Sequence, residues 1–556
     1  MRKILIIFLC SIAVLVGGYA AYRGYKVWKQ SHMISLARGF IAKSDVKNAL
    51  LSLQQALRSN PQNVEATRLM AELSEAGRSP GALLWRSRVV GLNPKSVDDR
   101  FALARTALVM RDYASATNAL DGVSEDGKKT APYHYLAGMV ATTINQPTIA
   151  ESHFIEAARL EPTNAAVQLN LAVLRLQQTN ALVLANARNT LRDLCGNPIL
   201  RCQALRWLAH DAIRYGQTNE ALGFSRELLL DTNSVFSDRI LRLELLQMTQ
   251  NPEFKSALLT FQHEATNHLG KLSDLAMWLI TKTGPDGPRQ ALGWLKSLPM
   301  DIQTNQPSAM LIAQCHTSLR DWRGLQTTVS KQNWGELEFI RHAFLASAMR
   351  GLELIDTAKT EWQIALKDTQ GRKESLVMLL QFADQEKWLN EKEDILWTIV
   401  NRYPSEKWAF RALSRNLYDN GRTRPLLVLF GQQLKANPSD LALKNNLAMA
   451  ALLLDARELK PHDLAREVYE KSPTNSTFAS TYAFSLYVQK KNVEALKVIE
   501  QLKPQELEAP STSGYYGMIL KANGNGAKAM KYFDLASKAS LLPEERKLFE
   551  KARGGR

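Results

Sequence analysis

At 556 residues the chain is too long for one hydrophobic core, so it holds several domains or an elongated repeat array. Its 45% hydrophobic residues exclude intrinsic disorder, and 29 glycines and 20 prolines are few for a turn-rich all-β chain, so we predict an all-α fold. The formal charge is +16, but seven bases precede Asp45, the first acidic residue, which leaves a diffuse +9 for the rest. This distribution argues against a nucleic-acid partner.

The amino terminus carries an apolar run at residues 4–21, preceded by two bases. Eighteen helical residues reach about 27 Å, close to the roughly 30 Å of membrane hydrocarbon. Tyr25 and Trp28 follow the run, as interfacial aromatic residues do. These features favour an uncleaved single-pass transmembrane anchor with a basic juxtamembrane segment over residues 1–30.

Two other interpretations compete for this segment. A cleaved signal peptide would use Gly18-Tyr19-Ala20, which is a poor small-x-small cleavage site. A lipoprotein signal is excluded, because Cys10 lies too early and follows a leucine where a small residue is needed. Four bases after the run favour a cytoplasmic repeat domain, but large translocated domains often disregard that bias. The side of the membrane therefore stays open.

Small residues recur in pairs twelve positions apart along the rest of the chain. A helical hairpin needs a small residue where its first helix touches the second, and another where the second packs back. The pairs are Ala37 with Ala49, Ala104 with Ala116, Gly138 with Ala150, Ala209 with Ala221, Ala346 with Ala358, Ala483 with Ala495, and Gly517 with Ala529. The same spacing joins Leu245 to Ala257, where a leucine takes the first small position. A large apolar residue such as Phe154 follows four positions later, which completes one apolar helix face.

This pattern resembles the tetratricopeptide repeat, a 34-residue helix–turn–helix unit. The clearest unit runs from Tyr133 to Pro162, and the segment from Tyr515 to Ala536 is nearly as regular. The resemblance implies an all-α superhelical solenoid of about fifteen α–α hairpins over residues 31–540, preceded by the transmembrane helix. The closing segment is similar to bacterial members that carry an amino-terminal anchor and no catalytic domain.

The repeats are predicted to be degenerate at 163–204, 271–333 and 372–400, where the small positions are lost but helical periodicity persists. A charged capping helix is predicted over 541–556. Its carboxylate pair Glu544-Glu545 is interpreted as part of a solvated face.

No residue emerges as a candidate for catalytic, cofactor or metal chemistry. His263 and His268 are five apart and do not match H-E-x-x-H, and neither Cys-x-x-Cys nor a nucleotide-binding glycine motif occurs. We therefore predict that the chain is not an enzyme and has no cofactor, metal or small-molecule substrate. Cys195 and Cys202 would pair in an exported chain or stay free core thiols in an intracellular one.

In tetratricopeptide proteins the first helices of the hairpins line a concave groove. The family's pattern places the following candidates there: Trp408, Arg411, Arg415, Tyr418, Asn445, Met449, Phe484, Tyr487 and Lys521. Aromatic and arginine side chains dominate interface energetics, and an extended peptide or partner helix would fit such a groove.

The sequence thus predicts a membrane-anchored tetratricopeptide scaffold that mediates protein–protein interaction in a bacterial envelope assembly. Its partner would be a protein or peptide, and its membrane contact would be the amino-terminal helix. The alternative is an exported periplasmic or secreted solenoid that loses its signal peptide and binds a polysaccharide or peptide in its groove.

Overall fold

The computed structural model describes residues 24–554, and all regular structure in that range is helical. The chain divides into two compact units, Met1–Lys271 and Leu272–Arg556. The helices of the first unit are α1 (24–42), α2 (Val46–Ser59), α3 (Val64–Ala76), α4 (Ala82–Leu92), α5 (Val97–Val109), α6 (Tyr113–Asp121), α7 (Glu125–Lys128), α8 (Ala131–Thr143), α9 (Pro147–Leu160), α10 (Ala165–Arg175), α11 (Ala181–Leu194), α12 (Arg201–Arg214), α13 (Thr218–Leu229), α14 (Phe236–Met248) and α15 (Phe254–Thr266).

The boundary between the units falls within α16 (Leu269–Lys282). The remaining helices are α17 (Gly287–Ser297), α18 (Met300–Thr304), α19 (Ser308–Ser318), α20 (Trp322–Ser330), α21 (Glu338–Gly351), α22 (Ile355–Asp368), α23 (Lys373–Gln385), α24 (Leu389–Arg402), α25 (Lys407–Asp419), α26 (Thr423–Ala436), α27 (Leu441–Leu453), α28 (Pro461–Lys471), α29 (Ser476–Val488), α30 (Asn492–Ile499), α31 (Pro504–Leu507), α32 (Pro510–Ala522), α33 (Gly526–Ala536) and α34 (Pro543–Gly554). Two 3₁₀ turns, Gly335–Leu337 and Arg457–Leu459, interrupt this series.

Successive helices pack as hairpins, which confirms the predicted helix–turn–helix architecture. Examples are α8 with α9, α12 with α13, α21 with α22, and α32 with α33. Most turns within hairpins contain a residue with a positive φ, such as Ser44, Asn145 and Gly524. Glycine reaches this region without strain, and polar residues such as asparagine tolerate it. The turn therefore recurs although its residue type changes.

The small residues lie where each hairpin closes. Both members of a pair fall on consecutive helices, and Ala37, Ala49, Ala104 and Ala116 are fully buried. Of the sixteen positions Ala257 is the exception, because it is only half-buried. A Cβ on Gly138 would lie 2.6 Å from the ring of Phe154. The twelve-residue spacing thus reports direct helix contact.

We expect Gly138→Ala to destabilise α8 and α9, because the buried ring of Phe154 has no room to move. Overpacking costs about 1–3 kcal/mol, and the better helix propensity of alanine recovers about 1 kcal/mol of it. Hydrogen exchange of the two helices measures the loss. The control is Gly517→Ala, whose Cβ would lie at a milder 3.2 Å from Phe533. Equal destabilisation by the two substitutions would show that contact with the Phe154 ring is not the reason for glycine at position 138.

The predicted degenerate stretches also contain helices. Residues 163–204 contain α10 and α11. Residues 271–333 contain most of α16 and all of α17 to α20, and residues 372–400 contain α23 and most of α24. The middle stretch includes the five-residue α18, which departs from the regular hairpin.

The predicted transmembrane run at 4–21 lies outside the described residues. Among residues 24–554, no helix combines the length and the hydrophobicity that a membrane crossing requires. Helix α1 begins with an exposed surface that includes Tyr25, Val27 and Trp28, and Trp28 stacks on His32. Within the described residues, Cys195, Cys202 and Cys315 are free thiols.

Candidate protein-binding surface

Helix α25 carries four of the candidate residues on one side. Its buried side consists of Ala409, Leu413 and Leu417, which are four residues apart and face the core of the second unit. This spacing leaves Arg411 and Arg415 exposed. Arg415 pairs weakly with Asp419 in its own helix, at 3.7 Å, and retains 86% side-chain exposure. Exposed ion pairs of this kind contribute little stability, so the arginines are available to a ligand.

Trp408 is held in place by a short chain of polar contacts. Lys373 donates a hydrogen bond to Glu406 at 2.8 Å, and the other carboxylate oxygen of Glu406 accepts from the Trp408 indole at 2.9 Å. The hydrogen bond from Lys373 lowers the pKa of Glu406, so this carboxyl stays ionised. The indole ring thus keeps a fixed orientation while remaining partly exposed.

A cavity of about 370 Å³ opens beside this helix. Its walls are Phe410, Arg411, Ser414, Arg415, Tyr418, Asp419, Leu426, Phe430 and Asn446. The rings of Phe410 and Phe430 lie 6.3 Å apart and form an apolar floor, which the two arginines rim. An apolar floor with a cationic rim suits a peptide that carries both apolar and acidic side chains. We call Trp408 and these cavity residues the α25 surface.

Two of the predicted groove residues are buried, which corrects their placement. Asn445 is 2% exposed on α27, and its neighbour Asn446 faces the cavity instead. Phe484 is also 2% exposed and packs against Tyr515, with ring centroids 4.9 Å apart. The reason is helical register, since the faces of α27 and α29 are set by packing against neighbouring hairpins. Tyr487 and Met449 are half-buried against the same cluster.

Two of the predicted groove residues, Tyr418 and Lys521, contact the carboxyl-terminal segment. The Tyr418 hydroxyl donates to the Ser540 carbonyl at 3.0 Å. The Lys521 ammonium donates to the carbonyls of Ala552 and Arg553 at 2.6 and 3.1 Å. The carboxyl-terminal end of a helix is the negative end of its dipole, so the Lys521 ammonium is attracted to this end of α34. The structure therefore brings α25 and α32 together through α34.

Glu545 is 7% exposed, so its assignment to a solvated face was wrong. Its carboxylate accepts hydrogen bonds from the Tyr515 hydroxyl and from the Leu542 N–H, and at a longer 3.4 Å it shares the Tyr418 hydroxyl proton with the Ser540 carbonyl. The spacing of Leu542, Glu545 and Phe549 puts the carboxylate on the apolar side of α34. That i, i+3, i+7 pattern is the sequence signal that would have revealed its burial.

The remaining contacts of α34 fit it closely to the second unit. A Cβ on Gly514 would lie only 2.3 Å from the Phe549 ring, so the ring occupies space that only glycine leaves free. The ring centroids of Phe549 and Tyr515 are 5.0 Å apart. Pro543 lies over Gly421, and the Thr423 hydroxyl donates to Glu544. We call the residues beneath the helix the α34 seat. The seat consists of Tyr418, Gly421, Thr423, Gly514, Tyr515 and Lys521.

Docking of α34 is expected to tighten as pH falls. Burial raises the pKa of Glu545, and the hydrogen bonds from Tyr515, Leu542 and Tyr418 offset only part of this rise. Because the pKa of Glu545 is higher in the docked helix than in the released one, its protonation stabilises docking. This stabilisation is complete when the pH is below the ordinary pKa of 4.5, and it is lost as the pH rises through the pKa of the docked state.

Hydrogen exchange of residues 543–554, corrected for the intrinsic rate at each pH, measures this dependence. Glu545→Gln should abolish it, because the amide does not titrate. Glu544→Gln is the adjacent control and should retain it. A pH dependence that survives in the Glu545→Gln chain would assign the titration to another group.

The first unit has a separate cavity of about 760 Å³ between α3, α4 and α5. Arg86 is 7% exposed at its wall and donates two hydrogen bonds to Glu75, at 2.7 and 2.6 Å. The Thr106 hydroxyl also donates to Glu75. Burial acts to raise the pKa of Glu75, but the hydrogen bonds from Arg86 and Thr106 outweigh it and the pKa is lowered. Glu75 therefore stays ionised and holds Arg86 in place.

In the described part of the chain, no group of three or more His, Cys, Asp or Glu side chains is arranged to hold a metal ion. The Nδ1 atoms of His134 and His153, on α8 and α9, lie 3.0 Å apart.

Comparison with known proteins finds no matching family model and no matching curated protein. Among solved structures, PilF of Pseudomonas aeruginosa is 15% identical, with a TM-score of 0.32, over 39% of this chain and 99% of that one. A tetratricopeptide repeat protein from Parabacteroides merdae is 13% identical, with a TM-score of 0.36, over 52% and 99%. The APC/C Cut9–Hcn1 hetero-tetramer is 12% identical, with a TM-score of 0.30, over 82% and 96%. The repeat architecture therefore rests on the chain's own hairpins.

Proposed function

We propose that this chain is a membrane-anchored scaffold that binds a protein partner through the α25 surface and belongs to a bacterial envelope assembly. The observation that carries the binding role is the cavity beside α25. Its floor is aromatic, its rim carries Arg411 and Arg415 together with Asp419, and both arginines are exposed. Such a combination of aromatic and arginine side chains is typical of interface hot spots.

The proposed tether is supported by the apolar run at 4–21 and by the residues that follow it. Tyr25, Val27 and Trp28 are exposed at the start of α1. Aromatic residues at this point would lie at the level of the lipid headgroups. Lys26 and Lys29 would contact anionic headgroups there.

Cross-linking pull-down with the full-length chain from membranes, read by mass spectrometry, tests the binding role. The double variant Trp408→Ala with Arg411→Ala should reduce capture of the specific partner at least tenfold, because hot-spot side chains contribute about 2 kcal/mol or more each. Arg424→Ala is the matched control, since Arg424 is an exposed arginine on the second helix of the same hairpin. Equal capture by all three chains would reject the α25 surface as the binding site.

Membrane fractionation tests the tether separately. The intact chain should require detergent for extraction, and protease protection in intact cells should identify the side that holds the repeats. A mature protein that begins near Ala21 would reject the anchor and favour the exported solenoid.

A further inference from the structure

We propose that the α34 seat is a binding site for an amphipathic partner helix, and that α34 is its resident occupant, which the partner displaces. This inference rests on the proposed scaffold function and specifies the form of the partner. The two sites share Tyr418, which lines the α25 cavity and also contacts Ser540. A ligand on the α25 surface would therefore meet the end of α34.

Helix α34 packs on α32 and α33, as the first helix of a further hairpin would, and it also contacts much earlier elements of the chain. It crosses from α32 back to the turn between α25 and α26. Thr423 and Glu544, which meet there, are 121 positions apart in the chain. Leu542 joins the core cluster of α25 and α26, and Phe549 joins that of α32 and α33.

The seat is shaped for one side of one helix. Gly514 leaves the space that the Phe549 ring fills, and Gly421 leaves space for Pro543. Tyr515 and Tyr418 direct hydroxyls to one carboxylate, and Lys521 caps the last turn. The opposite side of α34 carries Arg546, Lys547, Glu550 and Lys551, all exposed.

The buried carboxylate of Glu545 weakens the docking of α34. The hydrogen-bond donors to Glu545 are two phenols and one backbone amide, and no lysine or arginine pairs with it in the described range. Burying a carboxylate without a cation costs free energy that these hydrogen bonds only partly return. A partner helix that carries glutamine at this position would avoid that cost and compete effectively.

The partner is therefore defined by its register. It presents a leucine, a hydrogen-bond acceptor three residues later and a phenylalanine four residues after that, as Leu542, Glu545 and Phe549 do. A proline and an acidic side chain in its first turn would match Pro543 and Glu544.

The test uses the full-length chain and a fluorescein-labelled peptide of residues 540–554 as the probe. Glu545→Arg with Phe549→Ala should release α34 and free the seat. Fluorescence anisotropy should then show peptide binding at least tenfold tighter than to the wild-type chain. Glu550→Arg makes the same charge change on the exposed side and should behave like the wild type.

Adding Gly514→Val to the double variant should abolish peptide binding, because the new side chain occupies the position of the Phe549 ring. Equal titrations for the wild-type and double-variant chains overturn the proposal, as does binding that survives Gly514→Val. Hydrogen exchange on the wild-type chain provides a measurement free of folding defects. Residues 543–554 should open while α32 stays protected, and exchange of both only through global unfolding would show a fixed structural cap.

The pull-down separates this inference from the proposed function. If the Glu545→Arg, Phe549→Ala chain captures more of the partner than the wild-type chain does, the result supports displacement of α34. Equal capture overturns the inference and leaves the scaffold function intact. Peptide binding without specific partner capture by any chain overturns the scaffold function and leaves the seat as an intramolecular site.

Discussion

Replacing Glu75 by alanine is expected to destabilise the first unit by about 3 kcal/mol. Arg86 is buried and gives two hydrogen bonds to Glu75, so the substitution leaves a buried guanidinium without its hydrogen-bonded carboxylate. Arginine does not deprotonate in proteins, so it cannot relieve the cost by losing its charge. Removing one partner of a buried pair costs about 3–5 kcal/mol, and access through the cavity places this case at the low end.

The measurement is the free energy of opening of α3, α4 and α5 by hydrogen exchange. Glu65→Ala is the control in the same helix, because Glu65 pairs with Arg38 at the surface and exposed pairs contribute about 0–1 kcal/mol. Comparable losses for the two variants would contradict the assignment of Arg86 as a dependent buried charge.

The Glu75 contribution also has a defined pH dependence. Its pKa is lowered in the folded chain, so its stabilisation is present above the ordinary value of 4.5 and is lost as pH falls through the lower folded value. Acid unfolding of the first unit should therefore begin at a higher pH in the Glu75→Ala chain, which lacks this stabilisation at every pH.

Phe549→Ala is expected to detach α34 from the second unit while α25 to α33 stay folded. Truncating a buried phenylalanine costs about 3–5 kcal/mol, and Phe549 is 6% exposed against Gly514 and Tyr515. That loss corresponds to an opening of residues 543–554 at least about a hundredfold more frequent, or to their complete loss of exchange protection.

Lys547→Ala removes a side chain from the exposed face of the same helix and should leave protection within about twofold of the wild type. Loss of protection throughout α32 and α33 in the Phe549→Ala chain would contradict separable docking. It would instead indicate that α34 and the last hairpin unfold as one cooperative unit.

The candidate surface was only partly readable from the sequence, and the errors have a common cause. Arg411 and Arg415 were predicted to face the groove, and both are exposed, because α25 has three buried aliphatic positions four residues apart that define its outer side. In α27 and α29 apolar or small residues lie on nearly all sides of the helix, so the sequence pattern does not distinguish the exposed side. Asn445 and Phe484 were misplaced for that reason, and the contacts with neighbouring hairpins decided their burial.

The sequence alone determined that this chain folds as consecutive helical hairpins. Contact between two helices joined by a short turn depends on residues a fixed distance apart, so pairs such as Gly138 with Ala150 record it directly. Only the tertiary structure decided where α34 lies and what Glu545 contacts. The Thr423 contact with Glu544 spans 121 positions, and the path between them depends on the summed rotations of every intervening hairpin. No local spacing encodes that sum, so a carboxylate that looks solvated in the sequence is buried in the fold.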